Sequence, residues 1–222
     1  MTENLSEQPQ PQLSAEELAA FRQWMQERRQ NKRIIIGISG ASGVLYGIRL
    51  LEVLYQQPRI ETHLVVSDNA GLVMRYEMGY SDEQIQAIRR LANYSYHNRQ
   101  MEAAISSGSF KTEGMIIAPC SVKTLEHIAH GSDETLMDRA AFCCLKERRC
   151  LVLIPRETPA TLAYLENLVK AKQNGADILL PVPAFYHKPK TIDDIINLTV
   201  QKALDLFGIE ANLSQRWDTP SS

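Results

Sequence analysis

The stretch RIIIGISGASGVLYGIRLLEVL, residues 33–54, decides the fold. Residues 33–38 form an uninterrupted, β-branched run of the kind carried by a strand buried on both faces. Gly37, Ser39, Gly40, Ala41, Ser42 and Gly43 then remove nearly all side-chain bulk, after which Val44, Leu45, Ile48, Leu51, Val53 and Leu54 approximate helical spacing. A strand, a small-residue turn and a helix N-terminus together make an anion site, because unpaired amides and the positive end of the helix dipole point into the turn. The expected ligand is a phosphate. The pattern is GxxGxxG, neither the GxGxxG of dinucleotide folds nor GxxxxGK[ST], and no ribose-binding acid stands about 20 residues on. Tight packing of helix on strand would use the same small residues.

A chain of 222 residues, 44% hydrophobic and 23% charged, is long enough for one large domain with a sizeable core. A net charge of −2 gives no reason to expect nucleic acid as a partner. No apolar stretch approaches about 18 residues, so no membrane span is expected. The opening MTENLSEQPQPQ is polar and acidic and lacks the apolar segment of a secretory signal, which predicts a cytoplasmic protein. Cys120, Cys143, Cys144 and Cys150 form no CxxC pair and no Cys/His spacing suited to zinc; they read as reduced, mostly buried thiols.

Residues 1–12 are Gln/Pro-rich and predicted to be disordered, and residues 14–30 open on a capping-box-like SAEE and continue as an amphipathic helix. Residues 1–32 are therefore read as an N-terminal extension, and residues 33–222 as one domain with a C-terminal tail. In that domain apolar runs at 33–38, 61–67, 114–120, 150–156 and 177–182 alternate with helical patterns. This predicts a three-layer α/β fold, a Rossmann-like or flavodoxin-like parallel sheet with helices on both faces. In such sheets ligands sit beyond the carboxyl ends of the strands, near the topological switch point.

The residues just past the end of each run are therefore the candidates for chemistry: GISGASG, then Ser67-Asp68-Asn69, then PCSVKT (119–124), then RETP (156–159), then PAFY (183–186). These ends are rich in hydroxyls and amides and poor in histidine, a lining suited to a phosphate-bearing cofactor rather than a metal. Ser67 and Ser121 are equally good helix N-caps. Residues 132–149 read as a helix on which Arg139 and Lys146, seven residues apart, share a face with their backbones roughly 10 Å apart; a solvated basic face explains that spacing as well. His63, His97, His127, His130 and His187 form no ligand set of the HExxH kind, and Cys120 has no evident His/Asp partner.

Taken in one register, GISGASGVLYGIRLLEVL, PCSVKTLEHIAHG, DRA…LKERR, LVLIPRETP and PVPAFYHKPKTIDDIINLTVQKALDLFGI resemble the flavin prenyltransferases, the UbiX/Pad1-like family, over residues 33 to 217. The resemblance implies a Rossmann-like or flavodoxin-like homo-oligomer, commonly a dodecamer, that holds FMN between subunits and alkylates it with dimethylallyl monophosphate. The product, prenylated FMN, serves UbiD-type decarboxylases. By motif position, Gly40, Ala41, Ser42, Ser67, Ser121, Val122, Lys123, Thr124 and Arg156 look like the FMN contacts. Arg139, Lys146, Tyr186 and Lys202 resemble the clamp on the prenyl phosphate, and Glu77, Glu157 and Trp217 fall at positions associated with the reacting centre, together with Lys146. Val122 and Ala160 stand where family members often carry methionine and leucine.

The chemistry so implied joins dimethylallyl C1 to flavin N5 and closes a ring at C6. Reduced FMN is the competent nucleophile, and the clamp neutralises the leaving phosphate without a metal. The Trp217 face suits allylic cation character. Competing expectations are an FMN-dependent decarboxylase of the cysteine type, disfavoured because PCSVKT lacks that group's Pro-x-Met-Asn asparagine, a direct hydroxyarylic acid decarboxylase, and a non-catalytic flavin carrier, which would not need the clamp.

Overall fold

A computed structural model of the chain describes residues 14–21 and 31–214. Residues 15–21 are helical behind the expected capping box: the Glu17 amide donates to Ser14 Oγ (3.2 Å) and the Ser14 amide to Glu17 Oε2 (2.7 Å). The remainder of the predicted 14–30 helix, the Gln/Pro-rich start and Trp217 lie outside the described residues.

From residue 32 onward strands and helices alternate: β1 (Lys32–Ile38), α1 (Val44–Tyr55), β2 (Ile60–Val66), α2 (Asp68–Met78), α3 (Asp82–Arg89), β3 (Tyr94–His97), β4 (Gly114–Cys120), α4 (Val122–His130), α5 (Leu136–Lys146), β5 (Cys150–Pro155), α6 (Leu162–Gln173), β6 (Asp177–Ile178) and α7 (Ile192–Asp205). All strand pairs are parallel, with Ile35 of β1 opposite His63 of β2 and Met115 of β4. Side chains leave a strand on alternate faces, so the isoleucine run serves both layers. Ile34, Ile36 and Ile38 pack in one buried cluster with Val44, Ile48 and Leu51 of α1 and Val200, Ala203 and Leu204 of α7. Ile35 joins the opposite cluster, with Leu125 of α4, Met137 and Ala140 of α5 and Tyr164 of α6. The predicted three-layer architecture is the one observed.

The strand order is β3-β2-β1-β4-β5-β6. Counted among themselves, the five strands expected from sequence run 2-1-3-4-5, the flavodoxin-like order; β3, added at the outer edge, turns the whole into the Rossmann order 3-2-1-4-5-6. Either way the switch point lies between β1 and β4. There α1 leans close: a Cβ on Gly47 would stand 2.3 Å from the Ala118 carbonyl oxygen, so only glycine lets this helix approach β4.

Three expectations need correction. The sheet has an additional strand, β3, which the apolar runs do not reveal because YSYH is a short edge strand with largely exposed side chains. The run expected at 177–182 pairs only over Asp177–Ile178, with the Leu179 amide reaching the Leu153 carbonyl (2.9 Å) before Pro181 and Pro183 deprive the chain of donors. The helix expected over 132–149 spans Leu136–Lys146, set by a capping box in which Thr135 and Asp138 satisfy each other's backbone amides.

Candidate functional site

The site begins where β1 and β4 end side by side. Ser39, 1% exposed, donates its hydroxyl to the Pro119 carbonyl (2.8 Å) and accepts from the Ser121 amide (2.7 Å), tying the β1 turn to the β4 turn across the switch point. Gly43, the N-cap of α1, has φ 94° and no side chain to cap with. Its amide instead donates to Glu77 Oε2 on α2 (3.1 Å), so Glu77 performs the capping from across the cleft. Gly40 is pressed against α2, where a Cβ would stand 2.4 Å from Asn69 Cβ.

Two further helices start at this edge. Ser67 caps α2 by accepting from the Ala70 amide (3.1 Å), and Ser121 caps α4 by accepting from the Thr124 amide (3.3 Å) while its hydroxyl pairs with Thr124 Oγ1 (3.0 Å). The N-cap reading and the ligand reading of these serines therefore coexist, since both also line the cleft. Beyond β5, Glu157 accepts from the Thr158 amide (2.9 Å), and Arg156 keeps its Nε buried without a hydrogen-bond partner.

The resulting cleft has two connected compartments. The larger, about 510 Å³, is walled by Gly40, Ala41, Ser42, Ser121, Val122, Lys123 and Arg156, with Glu77 and Glu157 at its side. The smaller, about 280 Å³, shares Gly40, Asn69, Ser121 and Lys123 with it and adds Ser67 and Thr124. All nine residues expected to contact the cofactor thus meet in one place. Ser39 and Asn69 fall in stretches that sequence reading marked, but it gave them no role: Ser39 is one more small residue in the turn, and nothing in the spacing of Asn69 marks it as lying between the two compartments.

The expected phosphate clamp is not brought to this cleft. Arg139 donates from Nε to the Ser106 carbonyl (3.1 Å) and from Nη1 to Asp133 (2.8 Å). Lys146, exposed and 3.9 Å from Glu147, ends α5 just before β5 begins, at the sheet edge opposite the cleft and roughly 20 Å from it along the strand direction. Tyr186 and Lys202 are exposed and line neither compartment.

Cys120, wholly buried, has its thiol pKa driven strongly upward by desolvation, which removes it as a nucleophile. Cys144 is likewise pushed up to about 12 by burial. Among the described residues no group of three or more His, Cys, Asp or Glu side chains is arranged to hold a metal ion, and no helix is long and apolar enough to cross a membrane.

A doubly wound parallel sheet with a hydroxyl- and amide-lined cleft at its switch point defines a nucleotide-type flavoprotein fold, and residues 23–204 match the Flavoprotein family. A flavin prenyltransferase UbiX of Thauera aromatica is 50% identical over 185 residues, 83% of this chain and 93% of that protein. AnUbiX (PadA1), solved in complex with FMN and dimethylallyl pyrophosphate, superposes with a TM-score of 0.81 at 41% identity, covering 86% of this chain and 100% of that one. A dodecameric FMN-dependent UbiX-like decarboxylase from Escherichia coli O157:H7 gives a TM-score of 0.80 at 42% identity, covering 84% and 100%. The chain belongs to the UbiX-like flavin prenyltransferases of the flavoprotein family.

Proposed function

We propose that this protein transfers a dimethylallyl group from dimethylallyl monophosphate to N5 and C6 of reduced FMN, and that the prenylated flavin passes to a UbiD-type decarboxylase. The observation that carries the reading is the buried, unpartnered Nε of Arg156 on the wall of a cleft where nine expected FMN contacts converge. A guanidinium left with an unused donor is matched by an anionic or carbonyl-bearing ligand, and a flavin supplies both. Reduced flavin, when bound, supplies the nucleophilic nitrogen and carbon. One relative described as FMN-dependent, and another solved with both FMN and a prenyl pyrophosphate, support the same occupant.

The chain's own groups have distinct tasks in this scheme. The Gly40–Ser42 turn and the Ser67 and Ser121 caps hold the flavin, and Ser39 fixes the distance between the two turns. Glu77, engaged with the Gly43 amide, orients the turn, and Glu157 remains beside the larger compartment as a group able to take up a proton. Arg139, Lys146, Lys202 and the Tyr186 hydroxyl neutralise the leaving phosphate, and Trp217 offers an aromatic face to allylic cation character. Lys146 lies too far from its own chain's cleft to do this there, so the working site is completed by another copy, in keeping with the dodecameric relative. The clamp separates an enzyme from a flavin carrier. Lys146→Ala abolishes binding of dimethylallyl monophosphate, read by calorimetry on the FMN-loaded protein, while FMN occupancy stays as in the parent; unaltered prenyl phosphate binding contradicts the clamp.

A further inference from the structure

The smaller compartment holds a pair of side chains that none of these roles uses. His127 of α4 and Asp138 of α5 both line it, beside Ser67, Lys123 and Thr124. Asp138 is only 3% exposed. Its Oδ2 accepts from the Thr135 amide (3.2 Å), from the Thr135 hydroxyl (2.7 Å) and from His127 Nδ1 (2.8 Å). A carboxylate gathering three donors can only accept, so it fixes the His127 tautomer with the proton on Nδ1 and holds the ring plane. The other ring nitrogen lies 3.8 Å from Glu134, beyond hydrogen-bond range. His127 is thus a pinned imidazole with Nε2 in reserve.

The compartment around it is made for an anion. Three N-caps converge there, Ser67 of α2, Ser121 of α4 and Thr135 of α5, and Lys123 adds positive charge, while Arg99 pairs with Asp68 on the same wall (3.1 Å). Its volume of about 280 Å³ and polar walls suit a phosphate, whereas the 510 Å³ neighbour has the room for a ring system. We infer that His127, held by Asp138, is a further ligand of the flavin's phosphate in this chain, an inference that rests on the flavin reading above. The ring then carries protons on both nitrogens, Nδ1–H to Asp138 and Nε2–H to phosphate. Asp138 acts as the positioning residue.

Comparison of FMN with riboflavin, which lacks only the phosphate, isolates this contact. Equilibrium binding to the full chain gives a wild-type preference for FMN over riboflavin. His127→Ala and the milder His127→Gln cut that preference by roughly tenfold, the scale of one charge-assisted hydrogen bond, and leave riboflavin affinity unchanged. Asp138→Asn, which keeps an acceptor oxygen for Thr135 and the ring but removes the negative charge that holds the ring, gives part of the same loss. Equal weakening of FMN and riboflavin, or an unchanged preference, overturns the inference. Failure of the wild-type protein to bind FMN at all overturns the flavin reading, and this one with it.

Discussion

A buried guanidinium nitrogen without a hydrogen-bond partner costs on the order of 1–3 kcal/mol, and the Nε of Arg156 is in that position. Ligand binding recovers that cost, so Arg156→Ala weakens FMN retention by roughly tenfold or more, measured as flavin occupancy of the purified protein; full occupancy contradicts the assignment. Gly40 is constrained differently. A Cβ there would stand 2.4 Å from Asn69 Cβ, so Gly40→Ala forces the turn off α2, lowering Tm and flavin affinity together, and Asn69→Gly in the same chain, which removes that contact, recovers part of the lost Tm. A double variant no better than the single one would show that the clash is not the cause. These residues were legible because the topology rule says where to look, just past the strand ends. The role of Ser39 was not, since a buried strut and a small loop residue look alike in sequence, and only the paired turns show which it is.

Elements whose hydrophobic pattern serves two layers were readable, and those held by polar or edge interactions were not. β3 stays in place through side chains instead of an apolar run: Tyr94 stacks on His63 (4.9 Å between centroids), and the Tyr96 hydroxyl lies 2.9 Å from His63 Nδ1. His63 Nε2 lies 3.1 Å from Glu61, which also accepts from Arg33 Nε (2.9 Å). Desolvation pushes the His63 pKa below its ordinary 6.5, with Glu61 pulling against it. The folded state therefore resists a proton that the unfolded chain accepts. This contribution to stability is complete above about pH 6.5 and is lost as pH falls through the depressed folded value. Thermal melts of the parent fall from about pH 6.5 downward, and His63→Gln shows a shallower fall; parallel curves would remove His63 as the cause. On α5, by contrast, the seven-residue spacing of Arg139 and Lys146 was plain, but spacing alone does not say what the face meets. The fold turns Lys146 away from its own cleft and ties Arg139 to Asp133.

At the scale of the whole molecule, the proposed function takes the cleft from one copy and the clamp from another. Mixed oligomers test this arrangement without any structure of the assembly. Arg156→Ala and Lys146→Ala are each inactive alone, but refolded or co-expressed together they regain activity, because some sites then pair an intact cleft with an intact clamp. Absence of any recovery would place both groups in one chain's site. The doubly wound architecture, the turn that opens it and the convergence of the nine expected residues on one cleft were readable in the chain; the distance of Lys146 from that cleft was not, because spacing along a helix does not state which end of the sheet the residue reaches.

The most direct measurement is anaerobic incubation of the protein with reduced FMN and dimethylallyl monophosphate, followed by mass spectrometry of the extracted flavin. A flavin heavier by one prenyl unit, its new bonds at N5 and C6, is the predicted result. Unmodified flavin from protein saturated with both ligands would contradict prenyl transfer from the monophosphate, and the same outcome with dimethylallyl diphosphate would contradict prenyl transfer altogether.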